Sequence, residues 1–143
     1  MSVIIVNLYL LLGTAQDIKK KKISNCYLWI GGIIGFIFSI TECVKEAGKV
    51  MAWLIAFIPG VVVLALAKIT KEKIGMGDGW VVIILGNFMT VFEICILLQI
   101  AIVLADIFSL ILLCRKRVSV SYSIPFLPFL WMSHFLLWRL GNV

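Results

Sequence analysis

Charged residues are scarce in this sequence. Only 14% of its 143 residues are Asp, Glu, Lys or Arg, while 63% are hydrophobic, and the mean hydropathy is +1.15. A soluble domain is about half apolar and about a quarter charged. A globule of this length cannot bury so much apolar surface, whereas a membrane protein places it against lipid. The composition excludes a soluble domain, a disordered chain and a disulfide-rich secreted scaffold. It predicts one all-α, polytopic membrane domain over residues 1–143.

Metal-binding side chains are also few. The chain has one histidine and four cysteines, and no two cysteines have the C-x-x-C spacing. A zinc site needs about four clustered ligands, so neither a metal nor any other cofactor is expected. The cysteines are interpreted as single buried thiols, with a Cys43–Cys95 disulfide as an open alternative. His134 is expected to make a polar helix contact in the outer half of the last span.

The basic residues cluster beside apolar segments. The net charge is +6, and the clusters lie at 19–22, 68–73 and 115–117. A nucleic-acid surface interleaves solvated basic residues with aromatic or polar readers, so nucleic acid is not an expected partner. Cytoplasmic loops of membrane proteins carry an excess of Lys and Arg. The three clusters are therefore predicted to lie on the cytoplasmic side and to contact the lipid bilayer, and the mixed-charge segment 42–49 to lie outside.

The apolar segments predict about six transmembrane helices, because each span needs roughly 20 residues. Their approximate bounds are 2–16, 25–41, 50–68, 77–86, 91–114 and 122–138, with a kink expected at Pro59. Residues 80–114 have no long polar break but are too long for one span, so we divide them near Gly86-Asn87. Six spans place both termini outside. If 80–114 were one tilted span, the cluster 115–117 would lie outside instead.

Two of the seven acidic residues are predicted to lie at the same membrane depth. Asp17 follows the first apolar segment, and Asp78 begins the fourth. Ionisable groups at membrane depth are costly and mark functional sites. Two adjacent carboxyl groups share a proton because both cannot ionise cheaply. One carboxylate can then activate water while the other carboxyl protonates the scissile group.

Glycines alternate around Asp78 at Gly75, Gly77 and Gly79. Glycine permits positive φ and close backbone approach, so an unwound substrate segment is expected to bind against these three residues. The alternative is a plain turn in which the aspartate caps the next helix.

Two other acidic residues lie in the fifth apolar segment. Glu93 is expected near the outer interface. Asp106 is expected deeper, where it supports the aspartate pair through a hydrogen bond, contacts a basic group or stays protonated. The sequence leaves the roles of both residues open.

Three segments resemble motifs of the prepilin leader peptidases, the type IV members of the GxGD membrane aspartyl proteases. The first motif is similar to Asp17-Ile18-Lys19-Lys20-Lys21-Lys22-Ile23-Ser24-Asn25. The second, G-x-G-D, is similar to Gly75-Met76-Gly77-Asp78-Gly79. The third, at the start of the last span, is similar to Ile124-Pro125-Phe126-Leu127-Pro128-Phe129. The three motifs occur in the order typical of the family and extend over nearly the whole chain. The chain is most similar to the small Tad-type members, which consist of the membrane core alone.

The resemblance implies an aspartic endopeptidase with Asp17 and Asp78 as its catalytic pair. Family members remove the short basic leader of pilin-like precursors at the cytoplasmic face, usually after a Gly and before the apolar helix. This places the chain in type IV pilus assembly or protein secretion, with a prepilin-like substrate as its partner.

The chain departs from the family pattern at three places. Ser24 stands where the family has Pro, and Gly79-Trp80 stand where an aliphatic residue and Lys are usual. The connection from Lys19 to Ser24 has no room for the Cys-rich loop of the bifunctional members, so N-methyltransferase activity is not expected. Two alternatives stay open: a non-catalytic membrane scaffold or transporter subunit, and a GxGD protease of another membrane substrate such as preflagellin.

Overall fold

The described part of the chain forms seven helices. The structure, a computed structural model, describes residues 2–20, 23–45, 48–70, 75–115 and 125–141. All regular structure in these ranges is helical, which confirms the all-α prediction. The helices are α1 (Ser2–Lys20), α2 (Asn25–Lys45), α3 (Lys49–Ala56), α4 (Ile58–Ile69), α5 (Met76–Leu85), α6 (Val91–Cys114) and α7 (Leu127–Arg139).

Among the residues that the structure describes, three helical segments are long and apolar enough to cross a membrane. They are α2, the consecutive pair α3 and α4, and α6. The predicted division near Gly86-Asn87 is confirmed, because α5 ends at Leu85 and α6 begins at Val91. The ten residues of α5 measure about 15 Å at 1.5 Å per residue. This helix therefore reaches about half-way through a hydrocarbon core of roughly 30 Å.

Several helices differ from the predicted spans at their ends. The predicted linker 42–49 begins as the last turn of α2, where Lys45 Nζ lies 2.7 Å from Glu42 Oε1. Opposite charges three residues apart stabilise a helix, so this mixed-charge segment extends it. The first helix likewise continues past Asp17 to Lys20. The predicted start of the last span at residue 122, and most residues of the three basic clusters, lie outside the described ranges.

The third predicted span is divided at Phe57. Pro59 occupies the first turn of α4, where the missing N–H of proline costs little. The expected distortion therefore takes the form of two consecutive helices, α3 and α4, rather than a kink within one.

Glycines bring α5 against α4. A Cβ on Gly60 of α4 would lie 2.7 Å from the backbone nitrogen of Ile83, and one on Gly79 of α5 would lie 2.6 Å from Leu64 Cδ2. Small residues let membrane helices approach closely enough to gain van der Waals contact. This packing holds the half-span α5, and hence Asp78, against α4.

The first helix is held between α7 and α2. Its fully buried apolar residues, Val6 and Leu10, pack in the main core. The rings of Tyr9 and Tyr27 stack with centroids 4.4 Å apart, and the Tyr27 hydroxyl donates a hydrogen bond to the Tyr9 carbonyl oxygen at 2.6 Å. Gly31 leaves space for the Tyr9 ring, since a Cβ there would lie 2.3 Å from Tyr9 Cε2.

We expect Gly31→Ala to destabilise the protein by about 1–3 kcal/mol, the usual cost of overpacking. The added methyl group collides with a Tyr9 ring that its stack on Tyr27 keeps in place. Gly32→Ala is the matched control, because a Cβ on Gly32 meets no atom within 4 Å. Its stability should stay within about 0.5 kcal/mol of the wild type. Unfolding midpoints in detergent measure both, and equal midpoints for the two variants would contradict the prediction.

Candidate active site

Asp17 is a buried carboxyl group near the C-terminal end of α1. Only 7% of the residue is exposed. With Val6, Leu10 and Gly13 it forms the buried face of α1. The spacing of four, three and four residues is that of one side of a helix. The sequence therefore presents a carboxyl group on the same face that anchors α1 in the bundle.

The start of α7 supplies the hydrogen-bond donor for this carboxyl group. The Leu127 N–H donates to Asp17 Oδ2 at 3.1 Å, and the Phe126 N–H also interacts with the carboxyl group. The first N–H groups of a helix lack partners within the helix and favour negative charge. Pro128, the next residue, has no N–H to satisfy. The segment 125–128 is therefore built to receive one acceptor, which Asp17 provides.

The motif at 124–129 carries no sign in the sequence of a contact with Asp17. Leu127 and Phe126 act through backbone groups, so their residue types carry no direct sign of the hydrogen bond. The available signal was Pro128, because proline in the first turn marks a helix start. A helix start in turn offers unpaired N–H groups.

Asp78 lies in the first turn of α5. Its N–H donates to the Gly75 carbonyl oxygen at 3.1 Å. A Cβ on Gly75 would lie 2.9 Å from Asp78 Oδ2, so the carboxyl group folds back over Gly75. Within the described residues, no hydrogen bond to the Asp78 side chain is found. Asp78 thus lacks the donors that Asp17 has.

The three glycines around Asp78 each have a steric reason within the protein. Gly75 leaves space for the Asp78 carboxyl group, Gly77 for Ile23, whose Cδ1 would lie 2.8 Å from a Cβ, and Gly79 for Leu64 of α4. Gly75 has φ −63°, and Gly141 is the positive-φ glycine among the described residues. Close approach, not positive φ, explains these glycines, and their contact with substrate stays a prediction.

The fold brings Asp17 and Asp78 together. Their carboxyl groups interact electrostatically, although 61 positions separate them in the sequence. One comes from the end of α1 and the other from the start of α5. Carboxyl groups that interact strongly titrate as a pair, so that a proton belongs to both rather than to either one. The arrangement can therefore hold one ionised and one protonated carboxyl group side by side.

The other two acidic residues of interest lie elsewhere. Thr90 and Glu93 form a capping box at the start of α6: Glu93 Oε2 accepts from the Thr90 N–H at 2.7 Å, and Thr90 Oγ1 accepts from the Glu93 N–H at 3.4 Å. The T-x-x-E spacing is a sequence signature of this cap. Asp106 is exposed on α6 and has no hydrogen bond or ion pair with a described residue.

The remaining polar candidates take no part in this pair. All four cysteines are free, and Cys26, Cys95 and Cys114 are exposed, so the expectation of buried thiols is wrong for these three. They lie on the outward faces of the helices. His134 is fully buried, and neither ring nitrogen has a hydrogen-bond partner in the described part of the chain. No group of three or more His, Cys, Asp or Glu residues within the described ranges is placed to hold a metal ion.

Comparison with known proteins identifies the family. Residues 4–110 match the model of the type IV leader peptidase family. This range is about three quarters of the chain and contains both Asp17 and Asp78, whereas the third motif at 124–129 lies beyond it. The searches of curated proteins and of solved structures returned no match. The family model covers more than half of the sequence, and the chain therefore belongs to the type IV leader peptidase family.

Proposed function

We propose that the protein is a membrane-embedded aspartic endopeptidase that removes the short basic leader of prepilin-like precursors. One observation carries the proposal: in a member of a leader peptidase family, α1 and α5 place the two carboxyl groups of Asp17 and Asp78 close enough to interact. A purely structural scaffold has no need for two interacting carboxyl groups at one end of its bundle.

The hydrogen bonds at the site favour different states for the two carboxyl groups. A carboxylate that accepts backbone N–H groups is stabilised in its ionised form. Asp17 has such a donor in Leu127, while Asp78 has none among the described residues. We therefore assign Asp17 as the ionised base and Asp78 as the protonated acid.

The reaction follows from these two states. The Asp17 carboxylate takes a proton from water as the water oxygen bonds to the scissile carbonyl carbon, while Asp78 gives its proton to the carbonyl oxygen. The tetrahedral intermediate then breaks its C–N bond as the proton held by Asp17 passes to the leaving amine. One hydroxyl proton of the intermediate returns to Asp78, so that both carboxyl groups regain their starting states. No other group is needed to balance the protons.

The charge pattern supports a cytoplasmic position for the site. Helices α1, α4 and α6 end at or beside Lys20, Lys68 and Arg115, and Asp17 and Asp78 lie at this same end of the chain's up-and-down path. Because cytoplasmic loops are enriched in Lys and Arg, the proposed orientation places both termini outside and the site at the cytoplasmic face of the cell membrane.

We expect Asp17→Asn and Asp78→Asn each to lower the cleavage rate at least about 10²-fold, because each removes a proton-transfer group. The assay co-expresses each variant with pilin-like precursors and follows the leader by gel shift and mass spectrometry. Asp106→Asn is the matched control, since this exposed carboxyl group has no described partner, and it should cleave at the wild-type rate. Normal cleavage by either single variant of the pair would refute the proposed dyad.

If the wild type instead cleaves none of a fair panel of pilin-like precursors, the proposed substrate is wrong. Cleavage of another membrane precursor by the wild type, but not by the two Asn variants, would then support the dyad with a different substrate. No cleavage of any precursor would favour a non-catalytic subunit.

Stability separates the structural from the chemical role of Asp17. The Asn side chain retains an oxygen acceptor, so Asp17→Asn should unfold near the wild-type midpoint. Asp17→Ala leaves the Leu127 N–H without its acceptor, and a buried donor left unpaired costs about 1–3 kcal/mol. Chemical unfolding in detergent measures this difference. Equal stability of the Asn and Ala variants would show that the hydrogen bond contributes little.

Cleavage should show a bell-shaped dependence on pH. At low pH both carboxyl groups are protonated and the base is lost, and at high pH both are ionised and the acid is lost. The measurement is the initial rate across the pH range on purified protein, with circular dichroism as a control that the helices persist. A rate that rises to a plateau on one side would contradict the shared-proton mechanism.

A further inference from the structure

A groove open to the outside runs between α2 and α5. Contacts bound the groove near both ends: Ile23, just before α2, meets Gly77, and Asn87, just after α5, lies 3.0 Å from the position of a Cβ on Gly35. Between these contacts the two helices separate and leave a cavity of about 550 Å³ with an almost wholly apolar lining. We call this cavity the α2/α5 groove.

Gly32 lies in this groove and differs from the other helical glycines. A Cβ on any other glycine of the helices would meet a neighbouring atom of the protein, whereas one on Gly32 meets none within 4 Å. The large rings of Trp29 and Trp80, 73% and 47% exposed, also line the groove. A bare stretch of backbone between two large aromatic side chains has the shape that accepts a packed helix.

One end of the groove lies near the candidate active site, because the Ile23–Gly77 contact that bounds it is next to Asp78. Trp80 follows Asp78 by two positions on α5, and Asn25, at the start of α2, lines the same end. The α2 residues in the lining run from Asn25 to Ile37, which is about 18 Å at 1.5 Å per residue. A chain that fills the groove therefore has one end near the start of α5, which carries Asp78.

We propose that the α2/α5 groove docks the apolar helix of the precursor, with the segment that follows the scissile bond beside Asp78. The inference rests on the proposed leader peptidase function, which requires a cut just before an apolar helix. The groove length matches roughly the first half of a helix that crosses a 30 Å hydrocarbon core. In lipid such binding depends on close packing against small residues rather than on the hydrophobic effect, and Gly32 supplies the small residue.

Two other outward grooves provide controls. One lies between α1 and α2 and includes Leu8, and the other lies between α6 and α7 and includes Ile107. Neither is lined by a residue of α5. A substrate helix in either groove would not lie along the helix that carries Asp78.

The first experiment places a photoreactive amino acid at position 32 of the Asp78→Asn protein in membranes that contain a pilin-like precursor. Matched proteins carry it at position 8 or position 107. We expect adducts with the apolar helix of the precursor from position 32 and not from the two controls. The proposal would be overturned if position 32 gave adducts with lipid only. It would also be overturned if the precursor formed adducts at position 8 or 107 and not at position 32.

The second experiment fills the groove with Gly32→Phe. The ratio of cleavage of the full precursor to cleavage of a short leader peptide that lacks the apolar helix should fall roughly tenfold, which corresponds to about 1.4 kcal/mol of lost binding free energy. Leu8→Phe and Gly48→Phe should keep the wild-type ratio. An unchanged ratio for Gly32→Phe overturns the proposal. Crosslinking without cleavage by the wild type would instead retain the docking site and refute the peptidase function.

Discussion

The hydrogen bond from the Leu127 N–H to Asp17 joins the two ends of the fold. Each group alone would be costly: a buried carboxylate needs donors, and the first N–H of a helix has no partner within that helix. Together they satisfy each other across 110 positions of sequence. The bond also places the Asp17 carboxyl group at a defined point, because α7 packs along α1 and against α6. The position of the first carboxyl group therefore depends on the packing of the last helix.

The position of the second carboxyl group depends on backbone packing instead. α5 is too short to cross the hydrocarbon core, and contacts through Gly60 and Gly79 hold it against α4. The first turn of α5 carries Asp78, and its carboxyl group interacts there with that of Asp17. The two carboxyl groups thus reach one place by different means, one through a hydrogen bond and the other through glycine contacts.

Composition and charge pattern predicted the helices and the division near Gly86-Asn87, because apolar segments of sufficient length are typical of membrane helices. They also predicted the two aspartates that the fold brings together, because both lie at the ends of apolar segments. The capping box of Thr90 and Glu93 was readable from its spacing but was not recognised. The Leu127 contact and the packing role of Gly79 were not readable. Each depends on which distant helix lies opposite, and a single sequence does not specify helix neighbours.

The neighbouring glycines of α2 show why glycine positions alone assign no role. Gly31 faces inward, where the Tyr9 ring fills its space, while Gly32 faces outward into open space. A similar division holds on α5, where Gly79 is buried against α4 and Trp80 is exposed. Trp80 and Ile83 instead line the α2/α5 groove. In the proposed docking, a substrate helix seated in this groove would lie along the helix that begins beside Asp78, so that one short helix would serve both docking and catalysis.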